Sequence, residues 1–168
     1  MKRLIASDVH GSARFCRQLV QLYHQEGAQQ LVLLGDLAYS GSYDPSYEYD
    51  PLEVIRQLNA LAGEIVWVEG NCDYGVAALR PRFARHPDYL IQDWEGRQVF
   101  LTHGHRYGPH NPPPEAVPSC CSPGTPMCRP GAGWRICSAP IPARSPCPGA
   151  ARRTAACSMR TASSAGSP

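Results

Sequence analysis

Leucine, tyrosine, phenylalanine, histidine, asparagine, glutamine, aspartate and lysine are all missing from residues 112–168 of this 168-residue chain. What remains there is mostly Pro, Ala, Ser, Arg, Gly and Cys. Such a stretch has too little apolar surface to offset the entropy of ordering its backbone, and it is expected to be disordered. It also lacks any C-x-x-C pair among Cys120, Cys121, Cys128, Cys137, Cys147 and Cys157, which together with the absence of histidine argues against a zinc module. Long hydrophobic runs are missing everywhere. Only Leu4-Ile5-Ala6 separates Met1-Lys2-Arg3 from Ser7-Asp8, too short a run for a signal peptide, and no segment has transmembrane length. A cytoplasmic location is expected, with no membrane partner and with reduced thiols, so a disulfide module in the tail is disfavoured as well. Cys16 falls in a helical pattern and reads as core packing.

The formal net charge of +2 averages two populations. Residues 1–111 hold 10 Lys+Arg and 13 Asp+Glu, whereas residues 112–168 hold 6 Arg and a single acid, Glu115. Twelve of the 17 prolines lie in the second part. Residues 1–111 are therefore expected to form the domain and 112–168 a basic tail. Six dispersed arginines without interleaved aromatics are a poor nucleic-acid footprint, so no specific nucleic-acid module is expected.

Within residues 1–111, short apolar runs alternate with amphipathic segments. Leu4–Ser7, Leu31–Leu34 and Ile65–Val68 read as buried strands. Ser12 can cap a helix whose Phe15, Leu19 and Leu22 share a face and which Gly27 can end. Asp50 can cap a second helix with Pro51 first and Glu53 in the capping-box place, running through Ile55, Leu58 and Ala62 to Gly63. A weaker helix is expected over about Val76–Ala84. Leu90–Trp94 and Val99–Thr102 read as strands around a Glu95-Gly96 turn. This alternation predicts an α/β fold with parallel strands at its centre and a final hairpin added to it.

The polar residues that carry chemistry follow the strands. Asp8-Val9-His10 comes after the first, Gly35-Asp36 after the second, Gly70-Asn71-Cys72-Asp73 after the third and His103-Gly104-His105 after the last. In an open α/β sheet the carboxyl ends of strands converge on one crevice, which makes these sequence-distant groups neighbours. Taken singly each has a bland reading, as a turn or as a buried histidine. Together, carboxylate, imidazole and amide oxygen are the donors chosen by hard to borderline divalent metals such as Mn, Fe or Zn.

ASDVHGS at 6–12, LLGDL at 33–37, VEGNCD at 68–73 and LTHGH at 101–105 together resemble the calcineurin-like metallophosphoesterase superfamily, and within it the small bacterial phosphodiesterases. The resemblance covers residues 1 to about 111. It implies a sandwich of mixed sheets flanked by helices. It also implies two divalent cations, manganese first, with iron, zinc or nickel as alternatives. Asp8 and His10 would hold one, Asn71 and His103 the other, and Asp36 would bridge both. Two dications about 3.5–4 Å apart repel unless negative charge is shared between them, which gives the bridging carboxylate its physical sense. The implied reaction is hydrolysis of a small phosphodiester by in-line attack of metal-bound hydroxide, with Asp36, Asn71, Cys72 and Asp73 in catalytic positions. His105 and Arg106 can serve as phosphate contacts or remain solvated.

Two departures from the family pattern stand out. Many relatives have a histidine where this chain has Cys72, and there it is thought to protonate the leaving group; Cys72 either favours good leaving groups, with Asp73 or water as proton source, or simply packs beneath its loop. More seriously, the family continues with G-H-x-H, one histidine for each metal, then further strands and an N-P-G-S segment, none of which is present. Codons permitted for Pro118–Arg129, read from the third base of each, can spell QLLLSGHTHVP; those for Pro140–Ala150 can spell NPGSVSLPRG in the same shifted frame. Residues 112–168 are accordingly read as the product of a frameshift between about Asn111 and Pro118. The expected consequences are missing C-terminal strands, exposed sheet edges that favour aggregation, and impaired activity. The alternative is a non-catalytic interaction scaffold on the same fold, with oligomerisation left open. Tyr39, Tyr43, Tyr47 and Tyr49 can form an aromatic wall or pack on their own loop.

Overall fold

The computed structural model describes residues 1–38, 47–96, 98–108 and 111–113, together with the backbone of strands at 135–138 and 156–159. Eight strands and two α-helices form two sheets: β1 (Arg3–Ala6), α1 (Ala13–Gln25), β2 (Gln30–Leu34), α2 (Pro51–Asn59), β3 (Ile65–Val68), β4 (Ala84–His86), β5 (Tyr89–Asp93), β6 (Gln98–Thr102), β7 (Arg135–Ser138) and β8 (Ala156–Met159). The larger sheet has the order β4-β3-β2-β1-β8 and the smaller β5-β6-β7. Strands β1 to β4 are mutually parallel, with Leu4 opposite Leu31 and Leu31 opposite Ile65.

The strands are apolar on both faces because both faces are covered. Leu4, Ala6, Leu31, Leu33, Ile65 and Trp67 pack beneath the helices, meeting Cys16, Leu19 and Tyr23 of α1 and Val54, Ile55 and Leu58 of α2. The alternate residues Ile5, Val32, Leu34 and Val68 meet Val99 and Leu101 of β6 and Trp94 just past the end of β5. A fully buried side chain of this size contributes about 1.5–3 kcal/mol. The sandwich thereby holds the carboxyl ends of β1, β2 and β3 rigidly side by side.

Local signals set the ends of the elements. The Ser12 hydroxyl accepts the Phe15 N–H at 3.2 Å and caps α1. Its buried stripe is Ala13, Cys16, Leu19 and Tyr23, one position round from the expected Phe15 and Leu22, which lie half-buried at its edge. Asp50 caps α2 by accepting the Glu53 N–H at 2.9 Å. Glu53 pairs with Arg56 and Gln57, and the Asp50 N–H donates to the Gly11 carbonyl at 2.8 Å. Only half of the capping box forms, and the helix is tied to the loop after β1. It stops at Asn59, short of the expected Gly63, and residues 62–64 make a separate 3-10 turn.

The helix expected over 76–84 is not there. Val76–Leu79 is a single 3-10 turn, and Ala84 opens β4. Arg80 precedes Pro81, whose ring disfavours the helical region for the residue before it, and takes φ 56°. The hairpin of β5 and β6 is as expected: Asp93 pairs with Gln98, and both Glu95 and Gly96 have positive φ, the pattern of a type I′ turn.

From residue 114 onward the structure describes two strands. β7 runs parallel to β6, and β8 antiparallel to β1. Both lie at sheet edges where the reading of the sequence left strands missing. Edge pairing is made by backbone groups and asks little of side-chain type. The rest of the stretch expected to be disordered lies outside the described residues. Among the described residues no helix is long and apolar enough to cross a membrane.

Candidate metal centre

Three loops close on one another before any side chain is considered. The Asp8 N–H donates to the Gly35 carbonyl at 3.0 Å, His10 N–H to Asp36 at 2.8 Å, and Gly11 N–H to Leu37 at 2.7 Å. These bonds fix the loops after β1 and β2 in register. They also hold Asp8, His10 and Asp36 at φ 60°, 50° and 56°, a left-handed conformation unfavourable for residues with a side chain and retained where surroundings over-determine it. Gly70 lets the loop after β3 approach equally closely. A Cβ there would stand 2.1 Å from Asp36 Oδ1 and 2.5 Å from Asp36 N.

The side chains converge on Asp36, which is buried. Its Oδ2 lies 3.9 Å from His10 Nε2 and 3.6 Å from His103 Nε2, while its Oδ1 accepts the Cys72 N–H at 2.8 Å. His10 Nε2 is also 3.3 Å from Asp8 Oδ1, and one donor atom each from Asp8, His10 and Asp36 falls within 4.8 Å of the others. On the other side of Asp36, His103 Nε2 faces Asn71 Oδ1 at 3.1 Å. All five residues expected as ligands are thus gathered around one carboxylate.

The histidine beside Asn71 supplies a fit test. His103 Nδ1 lies 2.6 Å from the Leu34 carbonyl, which can only accept, so Nδ1 carries the hydrogen. In the neutral ring Nε2 then presents a lone pair toward the Asn71 oxygen, which also only accepts; the Asn71 amide nitrogen points to Cys72 Sγ at 3.0 Å. Two acceptors facing each other suit a shared cation, and a carbonyl behind Nδ1 is the usual way a ligating histidine is oriented. Burial works against the Asp8 carboxylate, yet bonds from His10 and Ser7 leave it below its ordinary value. The residues present therefore fit divalent cations.

The other expected site residues divide. Asp73, expected in a catalytic position, is buried, and its oxygens accept N–H groups of Asp36 at 2.8 Å, Leu37 at 2.7 Å, Gly70 at 2.8 Å and Ala38 at 3.5 Å. Neither oxygen is left to face a substrate. Burial, followed by the charge of Asp36, pushes the Cys72 thiol up to about 12. The His105 ring centroid lies 5.4 Å from that of His103, and burial lowers its pKa. Arg106 is paired with Asp88 at 2.6 Å. Tyr47 turns inward, donating to the Val9 carbonyl at 3.1 Å and meeting Phe15 edge-on, while Tyr39 and Tyr43 lie outside the described residues. Sequence reasoning missed Ser7, whose hydroxyl donates to Asp8 Oδ2 at 2.5 Å, although a serine directly before the first ligand was a signal available to it.

Comparison with known proteins agrees with this geometry. The family model for the calcineurin-like phosphoesterase superfamily domain matches residues 1–120. Phosphodiesterase YfcE of Escherichia coli strain K12 is 39% identical over 114 residues, covering 67% of this chain and 62% of the relative. The solved structure of YfcE, a phosphoesterase from E. coli, superposes with a TM-score of 0.61 at 38% identity, over 67% of this chain and 63% of that one. The chain spans less than two thirds of the length of these relatives. With the motifs and the family match in agreement, the chain belongs to the calcineurin-like phosphoesterase superfamily.

Proposed function

We propose that this chain descends from a metal-dependent phosphodiesterase and carries five of the protein ligands of its dinuclear centre. The observation that carries this reading is the position of Asp36, whose Oδ2 has an imidazole Nε2 on either side at 3.9 and 3.6 Å. Asp8 and His10 would hold one cation and Asn71 and His103 the other, with Asp36 shared and manganese as the first choice of metal. When bound, such cations neutralise charge on phosphoryl oxygens and acidify a bound water.

The protein's own contribution is placement. The αL loops aim Asp8, His10 and Asp36 inward, Leu34 fixes the His103 tautomer, and Asp73 clamps the loops bearing Asp36 and Asn71. His105 lies where a phosphate oxygen can approach; Arg106, held by Asp88, contributes at most its field. The substrate class supported by YfcE, a phosphodiesterase, is a small phosphodiester, handled in the cytoplasm.

Residues 112–168 we read as out of frame. The family match ends at residue 120, close to the compositional break at Asn111, and the G-H-x-H ligands that the shifted frame can spell are absent as protein. Each cation therefore lacks one histidine. Perturbing even the groups behind ligands costs about 10–100-fold in affinity or activity, and losing a ligand from both sites should cost at least that. Elemental analysis after equilibration with manganese tests the centre: metal above background is expected in this chain and none in Asp36→Asn, whereas equal metal in both would contradict a shared carboxylate.

A further inference from the structure

Beside the metal loops lies a cavity of about 320 Å³ that no step above uses. Asn71 and Cys72 line it together with Val76 and Leu79, and Tyr49 and Tyr74 contribute its aromatic surface. Among the described residues none that lines it carries a charge. The volume is at the low end of ligand sites, enough for one ring system.

Both tyrosines are held by the loops that carry the candidate ligands. Tyr49 pairs with Ser12 in an isolated bridge, and its ring lies so close over Gly11 that a Cβ there would meet it at 2.4 Å. Gly11 directly follows His10. Tyr74 directly follows Asp73, whose carboxylate clamps Asp36 and Gly70, and remains 89% exposed. Phosphate held at Asn71 would direct one of its organic arms into this space.

We propose that the cavity is the subsite for one ester arm of the substrate and that it takes an uncharged planar aromatic group, an aryl ring or a nucleobase, against Tyr49 and Tyr74. The subsite rests on the phosphoesterase reading. It selects against arms bearing further phosphate or carboxylate, because the lining offers no cation to meet them. Stacking of a ring on an aromatic side chain is sequence-tolerant and strong enough to change affinity about tenfold.

Calorimetric titration of the full-length, manganese-equilibrated chain with phenylphosphonate and with methylphosphonate tests this. Phenylphosphonate is expected to bind about tenfold more tightly. Tyr74→Ala should bring the two toward parity, and Tyr49→Phe, which keeps the ring over Gly11, should retain the preference. Equal affinities in the unaltered chain would overturn the subsite and leave the metal centre standing. Binding of neither phosphonate by a chain that elemental analysis shows to hold manganese would likewise overturn the subsite, whereas the phosphoesterase reading falls only if no metal is held.

Discussion

Asp73 sits two positions after a candidate ligand and has the chemistry of a catalytic acid, yet four backbone N–H groups donate to its oxygens. The distinction was illegible in the sequence, because G-N-C-D states which groups are present and not which way they face. Asp8, His10, Asp36, Asn71 and His103 were legible for the opposite reason: each follows an apolar strand, and sheet geometry alone brings such positions together. Tyr74 carries no pattern of this kind and emerges only once the loops close, whereas Ser7 was marked by its place directly before Asp8. The clamp makes a prediction. Asp73→Asn replaces one accepting oxygen with an NH2 that cannot accept, leaving a buried backbone N–H unsatisfied, and should destabilise the fold by about 1–3 kcal/mol in a urea titration. Metal binding should weaken in parallel, since Asp36 and Gly70 share the clamp. Unchanged stability would show that the clamp is dispensable.

At the scale of elements, the three parallel strands and the hairpin were readable because β-branched and leucine runs are interrupted by strong turn signals. The stripe of α1 was misplaced by one residue, since Phe15 is as apolar as Cys16 and only the position of the neighbouring α2 decides which is central. The false helix at 76–84 came from weighing Val76, Ala77, Ala78 and Leu79 above the proline that follows. Tyr23 of α1 offers a test of how this layer is anchored. Its hydroxyl donates to Glu64, beyond the end of α2, and burial together with that carboxylate raises its pKa above the ordinary tyrosine value. The folded state thus favours the neutral phenol. Its contribution is fully present below about pH 10, the unfolded value, and is lost as pH rises from there toward the folded value. Tyr47 and Cys16, both pushed up to about 12, add to the same decline. Tyr23→Phe should therefore show a shallower loss of stability above pH 10 than the unaltered chain. An identical slope in both would remove Tyr23 from this account.

The whole molecule is a sandwich whose active edge was assembled from the strand ends and whose final portion does not match its relatives. The five candidate ligands all precede Asn111, and the two histidines expected after it are absent from residues 112–168. Strands β7 and β8 meet the edges of both sheets, which backbone pairing alone can do, but residues 112–168 hold no histidine with which to complete a metal site. The central claim is that this deficit, and not the fold, limits the chemistry. The most direct test is manganese-dependent hydrolysis of bis(p-nitrophenyl) phosphate by this chain beside a version whose residues from Pro118 onward are read in the shifted frame. The restored version should be faster by at least about 100-fold, with this chain near background. Equal rates from the two would contradict the account.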